Sequence, residues 1–453
     1  MLQPRTAAVI LPPEAASLLA LFTPAFTQPT AARFTTLLVG ALLTTGRRTV
    51  ANLLRTLRHL ATGHPSDYQR VLSRAPWSAL QLGCGLASFI LRHLVPTGPV
   101  ILVGDDTVDG HKGKCIYGKD RHRDPVRSTH SYTAFRYGHK WVVLAILVQF
   151  PFTQRRWALP ILVDLYRTPQ SNESENRPHR TPAQLICRLL RLLLIRFPER
   201  SFIFVGDSSY GSHEVARFCR RHRTRLTLIS KFHPEANLFD LPPQYRGVGR
   251  PRRKGKRLPK PREVVETTKT RVRLKVDWYG GGKRNVGTVT QSTHWFKAGH
   301  ALVPIRWVFV EDRSGTHRHE YFYTTDISLT PTVIIGLYCG RWNIETTFQE
   351  LRSCLGLEST RGWRQQTVLR AAPCLFGLYS VVALLYQSLP QQKRCISIDW
   401  PGKKHLCFSD ALTAVRRWIW EESIFRHPLA QAGIEKLPTQ IKELLLAALT
   451  PAP

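Results

Sequence analysis

Apolar residues along the chain follow two periods, and the period changes in a fixed order. From Leu18 to Leu43 they recur at helical spacing, and Thr49 to Leu60 repeats that spacing with basic residues on the outer side. Thr44-Thr45-Gly46-Arg47-Arg48-Thr49 reads as a turn followed by an N-cap, a pattern compatible with helix-turn-helix DNA binding. Short β-rich runs then take over. Val100–Val103, His139 to Phe150, Arg156 to Tyr166, Phe202–Val205 and Leu226–Ile229 read as strands, with helices over Pro182 to Phe197 and Ser212 to His222. The order predicts a mixed α/β sheet. Arg271–Trp278, Arg284–Val289, Ile305–Glu311 and His319–Thr324 alternate like antiparallel strands. From about Pro331 the spacing is helical again to about residue 448.

These shifts predict five segments: a helical, DNA-binding 1–95, a first part of the α/β core over 98–231, a β-rich insertion over 232–328, a second part of the core over 329–390, and a helical 391–453. Within the insertion, Arg246 to Arg262 carries nine Lys and Arg among Gly and Pro and reads as a mobile basic loop. The apolar run Ala371 to Tyr386 is shorter than the roughly 20 residues of a membrane span and contains Pro373, so it reads as a core helix.

Charge narrows the partner. There are 65 Lys and Arg against 31 Asp and Glu, a formal net charge of +34 in 453 residues. Such an excess favours a polyanion, bound with counterion release, and nucleic acid is the commonest one. The nine cysteines form no C-x-x-C pair, which argues against a zinc ribbon or a disulfide framework and for a reducing compartment. No basic-then-apolar leader opens the chain. The expected location is cytoplasmic, on the nucleoid, with no membrane partner.

Against this background three acids stand out. Asp106 and Asp207 end strands that read as buried, where a carboxylate is costly unless paired or metal-bound. Glu345 lies on a helix stripe with Tyr338, Arg341, Phe348 and Arg352, spaced 3, 4, 3 and 4 apart, so all five share one face. A buried stripe at that spacing is ordinarily aliphatic. Here a carboxylate sits between guanidiniums, the combination a metal-dependent nuclease needs. Hard carboxylate oxygens suit Mg²⁺ or Mn²⁺, and Arg341, Arg352 and Lys112 would neutralise phosphate charge. Asp105 can replace Asp106, and Asp109 is a further candidate.

The run Tyr338-x-x-Arg341-x-x-x-Glu345-x-x-x-x-x-x-Arg352 resembles the Y-R-E-K signature of cut-and-paste insertion-sequence transposases with a DDE site. Gly104-Asp105-Asp106-Thr107, followed by Lys112-Gly113-Lys114, resembles their first-aspartate motif, and Asp207-Ser208-Ser209-Tyr210-Gly211 their second. The similarity covers about residues 98 to 390. It implies an RNase H-like core with a β-rich insertion, and a transposase that cuts the element's ends and joins the freed 3′-hydroxyl to target DNA. It implies Asp106, Asp207 and Glu345 as metal ligands, with two Mg²⁺ ions (Mn²⁺ substituting). Tyr338, Arg341, Arg352, Lys112, Lys114 and Trp295 would contact DNA, Trp295 or Trp278 by stacking on a flipped base. Partners would be the terminal repeats and target duplex, held by a homodimer or larger assembly. The family's final lysine is Arg352 here. A related nuclease without strand transfer, and an inactive DNA-binding descendant, are the alternative readings.

Overall fold

A computed structural model describes residues 15, 18, 20, 22–124, 127–245, 247, 250–394, 402–403, 405–425 and 436–451. Four helices lead: α1 (Gln28–Leu43), α2 (Val50–Leu57), α3 (Pro65–Ser73) and α4 (Ala79–His93). The expected turn after α1 is present, and the Thr49 hydroxyl caps α2 by accepting the Asn52 N–H. Arg48 in that turn is buried. Its Nε donates to the Ala41 carbonyl at 2.9 Å, and Arg416 donates to the Leu42 carbonyl at 2.8 Å. Two arginines thereby satisfy carbonyls that the end of α1 would leave without partners.

The sheet follows. Its core strands are β1 (Val100–Gly110), β3 (Phe135–Val148), β4 (Trp157–Tyr166), β5 (Phe202–Gly206) and β6 (Leu226–Lys231), with the short β2 (Asp120–Arg123) extending the β4 edge of β3. β3 lies antiparallel between β1 and β4; β5 runs parallel to β1, and β6 parallel to β5. The order β4-β3-β1-β5-β6 is the mixed, RNase H-like sheet expected from sequence. After the short α5 (Pro169–Glu173), α6 (Pro182–Arg196) starts at a capping box built by Thr181 and Gln184, and α7 (His213–Arg221) starts at Ser212.

The insertion holds β7 (Leu238–Phe239), α8 (Pro261–Thr267), β8 (Val272–Asp277), β9 (Lys283–Trp295), β10 (Val303–Asp312) and β11 (Glu320–Thr324). It does not form a separate sheet. β11 pairs antiparallel with β6, so all eleven strands are continuous. Part of the basic stretch is also structured. Lys254 lies over the Phe239 and Phe296 rings at 4.3 and 4.4 Å, and Lys260 precedes α8; residues 246, 248 and 249 lie outside the described residues.

Helices α9 (Pro331–Gly340), α10 (Asn343–Ser353), α11 (Gln365–Ser388), α12 (Phe408–Ile419) and α13 (Thr439–Leu449) close the chain. α11 is long and apolar enough to cross a membrane, but it is mostly buried in the core and packs on β4, as a core helix should. One hydrophobic cluster runs from the N-terminal helices through the sheet to α12. The N-terminal helices therefore pack into the α/β core and share its interior. The Arg370 guanidinium on α11 ties them further, donating to the Leu72 and Trp77 carbonyls at 3.1 and 3.0 Å.

Candidate active site

The first acid motif lies inside β1, and alternation along a strand sends neighbouring side chains to opposite faces. Gly104 faces α6, since a Cβ there would meet the Ile186 side chain and the Phe204 ring. Asp106 shares that face. Its carboxylate pairs with Lys140 on β3 at 3.0 Å and accepts a 3.4 Å bond from the Tyr210 hydroxyl. Asp105 shares the other face with Thr107, whose hydroxyl accepts from Arg352 on α10. The face that carries the Y-R-E-K helix is thus the Asp105 face. Of the two adjacent acids that the sequence left open, Asp105 is the one on that face, and Asp106 is on the face of Lys140 and Tyr210.

Asp207 follows the last residue of β5. Gly104 on β1 is in register with Gly206, so the next residues, Asp105 and Asp207, stand side by side across the parallel pair. The Asp207 carboxylate accepts the backbone N–H groups of Ser209 and Tyr210 at 2.9 and 3.3 Å, a local turn that fixes its direction. The Ser230 hydroxyl holds the Asp207 carbonyl at 2.7 Å, and the Tyr323 hydroxyl holds the Gly211 carbonyl at 2.9 Å. Gly211 is required by close approach, because a Cβ there would lie 2.8 Å from the Lys231 carbonyl oxygen.

Glu345 reaches this place through Arg341. The expected single helix is two, α9 and α10, joined by a tightened turn in which Arg341 N–H bonds to the Tyr338 carbonyl, three residues back, at 3.1 Å. The break turns the Arg341 fork inward. One Nη lies 2.5 Å from Asp105 Oδ2 and the other 2.8 Å from Glu345 Oε1. Asp105 and Glu345 thereby share one guanidinium, and Asp207 follows the strand residue in register with the one before Asp105. Burial pushes the Asp105 carboxyl up to about 7; Arg341 opposes this, while Asp207 and Asp106 add to it. Burial raises Asp106 as well, against Lys140.

The remaining expected residues separate into two groups. Tyr338 is buried, stacked on Phe322 at 4.2 Å, with Arg341 over its ring, so it supports the arginine. Trp295 is half-buried, in T-shaped contact with His213, Phe232 and Tyr323, and Trp278 is half-buried against Tyr279 and His317. Phe348 is core. Lys112 and Lys114 are exposed in the loop after β1, and Arg352 is paired with Glu358 at 3.4 Å. Sequence reasoning did not single out Lys140 or the paired role of Thr107; the β1–β3 register reveals the first and the contact of α10 with β1 the second, and both are long-range. Among the described residues the exposed tryptophans are Trp342 and Trp363.

Residues 21–285, more than half of the chain, match the DDE superfamily endonuclease family. The chain belongs to the DDE superfamily. Residues 256–380, which contain the Y-R-E-K run, match the archaeal ISC1217 transposase family. The protein is accordingly a DDE transposase, an enzyme of metal-dependent phosphodiester chemistry that acts on DNA. A cryo-EM structure of the piggyBac transposase synaptic complex with hairpin DNA aligns over 99% of this chain and 83% of its own, at TM-score 0.41 and 11% identity. Comparison with curated proteins gave no match.

Proposed function

We propose that Asp105, Asp207 and Glu345 are the metal-holding acids of this transposase, and that Asp106 supports them. The observation that carries this reading is the Arg341 fork, which joins Asp105 to Glu345 while Asp207 stands in register beside Asp105. The donor set fits a hard dication. Carboxylates gathered in a largely buried place repel one another unless a cation shares them, and oxygen-only donors suit Mg²⁺ or Mn²⁺. When bound, two such ions supply an activated attacking oxygen and a stabilised leaving oxygen.

The chain's own residues do the rest. Arg352, positioned by Thr107 and Glu358, holds positive charge beside β1 for a phosphate. Lys112 and Lys114 extend that charge along the loop. Arg70, Arg74, Arg361 and Arg364, with the exposed Trp363, line a cleft between α3 and the segment after α10. Guanidiniums beside an open aromatic ring suit a DNA backbone and its bases. We assign the transposon-end duplex to this cleft, and target DNA to the same polycationic surface. Holding two ends together calls for a dimer or larger assembly. The net charge of +34 supports residence on the nucleoid in the cytoplasm.

The test is a supercoiled plasmid carrying the gene and its flanks, incubated with protein and Mg²⁺ or EDTA. Cuts at the element ends followed by joining, lost with EDTA and in Asp105→Asn, Asp207→Asn and Glu345→Gln, are expected. Cutting without joining would leave an endonuclease, and binding unchanged by the three substitutions with no cutting would leave a DNA-binding protein.

A further inference from the structure

Four residues beyond Asp105, roughly 13 Å along β1 at strand rise, lies a second cluster that the carboxylate site does not use. Asp109, His111 and His139 are all buried, and their donor atoms lie within 4.8 Å of one another. His111 Nε2 is 3.3 Å from Asp109 Oδ2, and His139 Nδ1 is 3.4 Å from Asp109 Oδ1. Neither nitrogen makes a hydrogen bond, although both are shut away from water. Such orphaned nitrogens are costly and call for a partner.

The surroundings settle which atoms are free. His139 Nε2 is 2.9 Å from the Tyr117 carbonyl, an acceptor only, so Nε2 carries the proton. Nδ1 is then the ring atom left to face Asp109. The carboxylate is held as an anion. Oδ1 accepts the His139 backbone N–H at 2.9 Å, and Oδ2 accepts the Trp141 indole N–H at 3.1 Å. A bare imidazole nitrogen facing a carboxylate repels it unless a cation lies between them. The outer contacts, a carbonyl on one imidazole and an indole on the carboxylate, are the kind that orient metal ligands.

We propose that Asp109, His111 and His139 bind one Zn²⁺-class ion, at a site separate from the carboxylates of the DNA chemistry. Each imidazole faces its own oxygen of Asp109, at 3.3 and 3.4 Å, so small side-chain shifts bring one donor from each residue to the roughly 2.0–2.1 Å of zinc bonds. Two imidazoles and one carboxylate select a borderline metal over Mg²⁺. Three protein donors leave a fourth position for water. The ion joins the residue after β1 to the middle of β3. It thereby fixes the start of the loop that carries Lys112 and Lys114, whose far end Tyr117 N–H ties to the Trp363 carbonyl at 2.9 Å. Its role is to hold the DNA-facing loop in shape.

The test uses the full chain. Protein expressed with zinc and dialysed against metal-free buffer is assayed for metal content, and chelator-stripped protein is titrated with Co²⁺. One zinc per chain is expected, with the visible absorption of tetrahedral Co²⁺ appearing at one equivalent. His111→Gln and His139→Gln should abolish both, with circular dichroism confirming the fold, while Asp207→Asn and Glu345→Gln keep both. The Co²⁺ titration of the unsubstituted chain stands whether or not a variant folds. Absence of zinc and of the Co²⁺ spectrum in that chain would overturn the proposal. So would full zinc retention in both histidine variants, or zinc lost in Asp207→Asn and not in His139→Gln. None of these results bears on the carboxylate reading.

Discussion

Replacing Arg341 by methionine removes its charge while keeping most of its volume. The guanidinium is 7% exposed and holds Asp105, 16% exposed, at 2.5 Å and Glu345, 35% exposed, at 2.8 Å. Breaking a buried pair by deleting one partner costs about 3–5 kcal/mol, because the carboxyl left behind must either stay charged without compensation or take up a proton. The Glu345 half is more exposed and contributes at most about 1 kcal/mol. Most of the loss therefore belongs to Asp105, and a total of about 3 kcal/mol is expected for Arg341→Met in EDTA, read by equilibrium urea unfolding. Adding Asp105→Asn removes the stranded charge and should restore about 2 kcal/mol of that, a coupling that independent sites would not show. Mn²⁺ should stabilise Arg341→Met more than the unsubstituted protein, since it supplies the missing positive charge at the same carboxylates. A loss below about 1 kcal/mol, or no recovery in the double variant, would refute the bridging role of Arg341.

Three further outcomes are expected. Gly138→Ala would place a Cβ 1.7 Å from the Asp109 carbonyl oxygen, prising β3 from β1 at a cost of about 3 kcal/mol or more in urea unfolding; an unchanged midpoint would contradict the register. His122 and His213 are held neutral by burial, each down to about 4. The unfolded chain protonates near 6.5, so stability is full above that pH and falls between about 6.5 and 4; a His122→Gln/His213→Gln protein should show a flatter fall, and an equal fall would refute this. Arg361→Gln with Arg364→Gln should reduce the salt dependence of end binding by about 0.9 per lost phosphate contact, and Trp363→Ala should weaken binding by about 1–3 kcal/mol with stability unchanged if the ring stacks on a base; unaltered binding in both would move the DNA path elsewhere.

Much of the sheet was legible because its strands are short apolar runs ending in punctuation, such as Phe202–Val205 before Gly206-Asp207. Caps were legible where a hydroxyl stands before a periodic run, as at Thr49 and Ser212. The union of the insertion with the core was not, because the β6–β11 pairing joins residues about ninety positions apart and leaves no local trace. The helix break at Arg341 was also hidden. Tyr338, Arg341 and Glu345 keep helical spacing through it, and only the tightened turn after Gly340 reveals it. The choice between Asp105 and Asp106 stayed open for a related reason. Adjacent residues have the same sequence context, and only the elements covering each face of β1 tell them apart. His111 and His139 were passed over because their partnership across β1 and β3 depends on register.

The most direct test of the central claim exchanges the ligand atom. Cysteine sulfur is accepted by Mn²⁺ far better than by Mg²⁺, whose preference is for hard oxygen. Asp105→Cys and Asp106→Cys proteins would be assayed for end cleavage in each metal. The account predicts that Asp105→Cys is silent in Mg²⁺ and cuts in Mn²⁺, while Asp106→Cys shows no such dependence on the metal. A manganese rescue seen in Asp106→Cys and missing from Asp105→Cys would contradict it.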